Sequence, residues 1–109
     1  MTSVLALLTV LVAGLAPQPS AGGHRAQLAV PTSAPLTVRG TLFRSGERVV
    51  VVAQARGTHR RTVTATTRGT FLIRFRTVML DRCTGYLIRA TGNRGSFGYL
   101  RVIPECPAP

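Results

Sequence analysis

The side chains able to carry acid–base, nucleophilic or metal chemistry are few and far apart in this chain of 109 residues. The acids are Glu47, Asp81 and Glu105, the histidines His24 and His59, and the cysteines Cys83 and Cys106. Hydrolysis by paired carboxylates needs two acids in one site, and no two of these are near in sequence. His59 stands beside Arg60 and Arg61. A general-base histidine needs a nucleophile and an orienting carboxylate, and neither accompanies it. An ordinary zinc site takes four ligands, so both histidines and both cysteines would have to converge. His24 suits copper or nickel binding only if Gly22 becomes the chain start. The expectation is no enzyme, no catalytic residue, no metal and no cofactor. Glu47 and Asp81 fall in turn-rich segments, where acids cap backbone N–H groups or pair with arginine.

Arginine is the one potent side chain present in number. All 14 basic residues are arginine, and three acids oppose them, for a net charge of +11. A guanidinium presents a planar fork that fits phosphate, sulfate and carboxylate. Arg39, Arg48, Arg60, Arg74, Arg76, Arg89 and Arg101 form the candidate polyanion-binding set. If Arg74, Arg76, Arg89 and Arg101 share one sheet, that face is a basic plate. It would attract an extracellular polyanion such as an anionic glycan, teichoic acid, lipid head group or DNA, with strong salt dependence. Sequence-specific reading of nucleic acid is not expected, since no recognition helix is present and few aromatics alternate with the arginines. Polyanion binding is the alternative to the leading account, a structural or accessory cell-envelope or extracellular domain. Its arginines would be scattered, keeping the protein soluble and blocking edge-to-edge strand pairing. Recognition of a protein by edge-strand addition is a third class, with no partner named by the sequence.

The elements that must position these residues begin after an apolar leader. Val4 to Leu15 is nearly continuous in apolar residues, a run of about 12, the length of a signal-peptide core and short of the roughly 20 that span a bilayer. Gly14 and Pro17 interrupt it, and Ser20 and Gly22 suit cleavage before Gly23. Residues 1–22 therefore read as a signal peptide, leaving no stable membrane span after cleavage. An uncleaved anchor and a buried N-terminal helix are the other readings. Export implies a secreted or cell-envelope location and an oxidising compartment. There, Cys83 and Cys106 are expected to form a disulfide closing a loop of about 24 residues, for roughly 3 kcal/mol of stabilisation. No Cys-x-x-Cys spacing points to a redox role.

From residue 36 onward, apolar residues recur with period two, the mark of strands. The segments are 35–43, 48–55, 59–66, 71–78, 86–90 and 96–103. Turn-rich clusters at Arg44–Glu47, Gly57, Thr67–Thr70 and Gly92–Gly95 separate them. Leu36, Val38 and Leu42 share one face of the first. Phe71, Ile73 and Phe75 share one face of the fourth. In 48–55 both faces are apolar, so the inward set is open. Arg61 falls on the apolar parity of its strand. Residues 23–34 read as a linker or an irregular leading segment, and 35–109 as the domain. Short strands at this spacing, with no helices between them, argue for an antiparallel sandwich or barrel.

The run Leu36-x-Val38-x-Gly40-x-Leu42-Phe43-x-Ser45-Gly46-Glu47-x-Val49-x-Val51 resembles the opening of bacterial exported immunoglobulin-like domains. Gly69-Thr70-Phe71 is similar to the start of a middle strand in carboxypeptidase-regulatory-like sandwiches. The resemblance covers residues 35–76. It implies an all-β fold, a small antiparallel immunoglobulin-like β-sandwich of about six to seven strands, preceded by the signal segment. The cysteine spacing and the absence of Trp depart from antibody domains.

Overall fold

A computed structural model describes residues 23–106. The segment 1–22, read from sequence as a signal peptide, lies outside the described residues. The described residues form eight strands: β1 His24–Arg25, β2 Gln27–Ser33, β3 Leu36–Thr41, β4 Arg48–Gln54, β5 Thr58–Thr64, β6 Phe71–Phe75, β7 Tyr86–Gly92 and β8 Ser96–Val102. They make two sheets, one of five strands in the order β1-β8-β7-β4-β5 and one of three in the order β2-β3-β6. All pairings are antiparallel except the short β1–β8 contact. The fold is a small all-β sandwich.

The two sheets bury facing rows of apolar side chains. Val49, Val51 and Ala53 of β4 and Ile88 and Ala90 of β7 point inward from the large sheet. Leu36, Val38, Ile73 and Phe75 oppose them from the small one. The alternation of β4 is thereby settled: Val50 and Val52 lie on the outer face, half-buried. Gly40 is inward in β3 because the ring of its cross-strand partner Phe71 lies over it. A Cβ there would overlap the ring, so only glycine lets Phe71 fill the core beside Phe43, with centroids 5.1 Å apart.

Two expectations are corrected. Residues 23–34 are not a linker. They form β1 and β2, and the chain changes sheets between them at buried Ala26, whose N–H donates to the Phe97 carbonyl at 2.7 Å. Pro, Ser and Thr in this stretch suit an edge strand, whose outer N–H groups need no ladder partner. Leu42 does not continue the inward face of β3. Its φ is 66° and it is 54% exposed. That left-handed step ends the alternation and swings Phe43 inward, where its N–H meets the Gly69 carbonyl at 3.0 Å.

The disulfide joins Cys83 to Cys106, with Cα atoms 4.9 Å apart. It ties the long β6–β7 loop to the chain following β8. The Glu105 N–H reinforces it by donating to the Arg82 carbonyl at 2.8 Å.

Candidate anion-binding face

The outer face of the large sheet collects arginines because β4, β5, β7 and β8 alternate in register. Val52 of β4 lies opposite Arg60 of β5 on one side and Arg89 of β7 on the other. Strands are about 4.8 Å apart, so the two arginines flank the valine at a separation of about 10 Å. Tyr99 of β8 pairs with Arg89, and Arg101 pairs with Leu87. Arg48 opens β4 on the same face. There its N–H is held by the Asn93 side chain at 3.1 Å. Arg48, Arg60 and Arg89 rim an open groove of about 440 Å³ with Val50 and Val52 as its floor.

Thus Arg48, Arg60, Arg89 and Arg101 of the sequence-derived set come together. Arg39 and Arg74 do not. They project from β3 and β6, on the outside of the small sheet, at the opposite side of the sandwich. Arg76 lies in the turn after β6. A single plate of Arg74, Arg76, Arg89 and Arg101 therefore does not form, because β6 pairs with β3 and not with β7. Arg61, on inward parity, escapes burial because β5 is an edge strand. Its guanidinium donates to the Arg74 carbonyl at 3.2 Å, capping the exposed edge of β6.

Three residues of this face were missed. Arg25 lies opposite Phe97, and its guanidinium stands 5.8 Å from the ring centroid. Phe97 and Tyr99 are 40% and 58% exposed. The signal was present in β8, where Phe97, Tyr99 and Arg101 alternate on one parity. Arg25 lies in the segment 23–34, whose composition resembles a linker or irregular leading segment and gives no strand period.

The carboxylates sit elsewhere. Asp81 accepts from the Cys83 N–H at 2.9 Å and the Thr84 hydroxyl at 3.0 Å, and it pairs with Arg56 at 3.7 Å. These hydrogen bonds, Thr84 first, hold its carboxyl below the ordinary range. Glu47 is 0% exposed. Its carboxylate accepts from the backbone N–H groups of Arg44 at 3.0 Å, Arg94 at 2.7 Å and Ser96 at 3.2 Å. Burial pushes this carboxyl up. The three backbone N–H donors, with the Ser96 hydroxyl dipole beside them, outweigh that and lower its pKa from 4.5 to about 2. The Ser96 hydroxyl stands near the carboxylate, outside good hydrogen-bond geometry. Glu47 is a clamp between the β3–β4 turn and the β7–β8 hairpin, deeper than a turn cap. Gly92 makes room for it, since a Cβ there would overlap the carboxylate. No group of His, Cys, Asp and Glu among the described residues is arranged to hold a metal.

No protein-family model matches this chain, and no curated protein matches it either. The functional reading rests on the face itself.

Proposed function

We propose that this protein is an exported binding module for extracellular polyanions, and that the outer face of its large sheet is the binding surface. The observation that carries the reading is the gathering of Arg25, Arg48, Arg60, Arg89 and Arg101 on one face that holds none of the three carboxylates. Arginines serving solubility alone have no reason to share a face with an open apolar-floored groove. The disulfide supports an extracytoplasmic location, since such bonds persist in oxidising compartments. The apolar run Val4–Leu15 supplies the route there as a signal segment.

The test compares two variants of equal charge. One replaces Arg48, Arg60 and Arg89 with Ser, and the other replaces Arg39, Arg68 and Arg76. None of these six side chains has a hydrogen-bond or carboxylate partner among the described residues, so both variants keep the fold. The first elutes from heparin resin at clearly lower salt than the second. Equal elution of the two refutes a built binding face and returns the arginines to a solubility role.

A further inference from the structure

The arrangement of rings and guanidinium groups on β8 and its neighbours identifies one kind of polyanion. Phe97 and Tyr99 lie two residues apart on one strand, so their Cβ atoms are about 7 Å apart. Each ring has an arginine directly beside it on the adjacent strand: Arg25 beside Phe97 and Arg89 beside Tyr99. Arg101 continues the row one step further along β8. The rings thus repeat along β8 at a spacing close to that of bases on an extended strand, and arginines flank the row from both sides, Arg25 on β1 and Arg89 on β7. We propose that this row binds single-stranded nucleic acid without sequence preference, one base stacking on Tyr99, the next on the Arg25 guanidinium that lies over Phe97, and phosphates meeting Arg89 and Arg101. This rests on the polyanion reading and narrows its ligand class.

Other anions fit less well. An acidic glycan or teichoic acid supplies charge but no planar aromatic face to match each ring. An anionic bilayer calls for apolar groups that project and insert. Here Val50 and Val52 form the half-buried floor of the groove and cannot reach it, which leaves two projecting rings, Phe97 and Tyr99, as the whole apolar contribution of the face. A duplex hides its bases from a flat sheet, whereas a single strand presents them. Base stacking on aromatic side chains tolerates any sequence because every base has a π-face. Tyr99, at 58% exposure and without an arginine stacked on it among the described residues, is the freer of the two platforms.

The experiment uses the oxidised exported protein and a fluorescein-labelled oligothymidine of about 12 nucleotides, within the range single-strand binders occupy. Anisotropy gives the affinity. Duplex DNA, heparin and phosphatidylglycerol vesicles serve as competitors at the same salt. The expected result is preference for the single strand, with Tyr99→Ala weakening its binding about tenfold, the scale of one stacked base. Tyr99→Trp restores the affinity, and Tyr99→Ala leaves heparin elution unmoved. An unchanged thermal midpoint shows that the variant is folded. Single-strand affinity within twofold of the parent in Tyr99→Ala overturns the proposal. So does stronger competition by duplex, heparin or vesicles. If the Arg48, Arg60 and Arg89 triple variant still loses heparin in those cases, the polyanion reading stands and only the single-strand assignment falls. If no probe binds beyond the charge-matched control, both fall.

Discussion

Replacing Glu47 with Gln probes the one buried charge among the described residues. The wild-type carboxylate accepts three backbone N–H donors, from Arg44, Arg94 and Ser96. A glutamine has one acceptor oxygen and one NH₂ donor at the same two positions. If its oxygen faces Arg94 and Ser96, its NH₂ faces the Arg44 N–H. If it turns over, two donors are stranded instead. At least one buried N–H is thus left without a partner, at about 1–3 kcal/mol, and the charge-assisted bonds that remain weaken to neutral ones. The total loss is about 2–4 kcal/mol, a large share of the stability of a domain this small. Urea unfolding at neutral pH measures it through the midpoint at constant slope.

The same carboxylate sets a pH dependence whose sign is fixed. Its folded pKa lies at about 2, below the ordinary 4.5. The unfolded chain therefore binds the proton more readily, and stability rises with pH across that interval. The contribution is fully present above pH 4.5 and is lost as pH falls towards 2. The shift corresponds to about 3 kcal/mol. The gap between parent and Glu47→Gln should be widest at neutral pH and shrink through this window. Asp81, also depressed, titrates in both proteins and drops out of the difference. A gap below about 0.5 kcal/mol at pH 7, within the range of ordinary surface changes, would falsify the clamp. A gap that stays constant down to pH 2 would equally show that ionised Glu47 is not what the turns hold.

Gly92→Ala should destabilise by about 2 kcal/mol or more, because its Cβ invades the Glu47 carboxylate. In the Glu47→Ala background, where that space is vacant, urea midpoints should show less than half the penalty. Leu42→Asn should stabilise by about 0.5–1 kcal/mol, since asparagine tolerates the left-handed backbone that an exposed leucine strains to adopt. A lower thermal midpoint would contradict this. Reduction of Cys83–Cys106 should cost about 3 kcal/mol, and thiol titration of the oxidised, denatured protein should find no free thiol.

The strand pattern was legible wherever one face meets the core and the other meets water. In β6 and β7, Phe71, Ile73, Ile88 and Ala90 alternate with exposed partners and announce both element and orientation. β4 did not disclose its inward face, because its outward valines line a groove and look as apolar as the core. β1 and β2 were hidden for a different reason. They are edge strands whose burial comes from the sheet switch at Ala26, a tertiary event that leaves no local period. Leu42 misled because one left-handed residue shifts the parity of Phe43 and its successors. The grouping of arginines could not be read at all without strand order. Parity assigns each arginine to an outer face, but only the pairing of β6 with β3 decides which face takes Arg74. Glu47 was readable as a turn residue. Its burial depends on the hairpin of Arg94 and Ser96 arriving from far along the chain.

The placement of the acids explains why the arginine-rich face stays uncompensated. Glu47 is locked at the β7–β8 hairpin end of the sandwich, by N–H groups from Arg94 and Ser96. Asp81 and Glu105 lie at the other end, in the disulfide loop and beside Cys106. β7 runs from one end to the other, with Arg89 at its centre. That centre is about 10 Å along the strand from either end, beyond the screening length of about 8 Å at physiological salt. The carboxylates at the ends are thus too far away to neutralise Arg89 or Arg60, and the backbone already occupies two of them. An incoming anion meets a field at mid-sheet that no side chain of the protein cancels. Adding a carboxylate to this face, as in Gln54→Glu in the cross-strand row of Leu87 and Arg101, should weaken polyanion binding more than adding the same charge beside Cys106. If heparin elution responds equally to both, net charge alone governs binding, and the position of the arginines has no part in it.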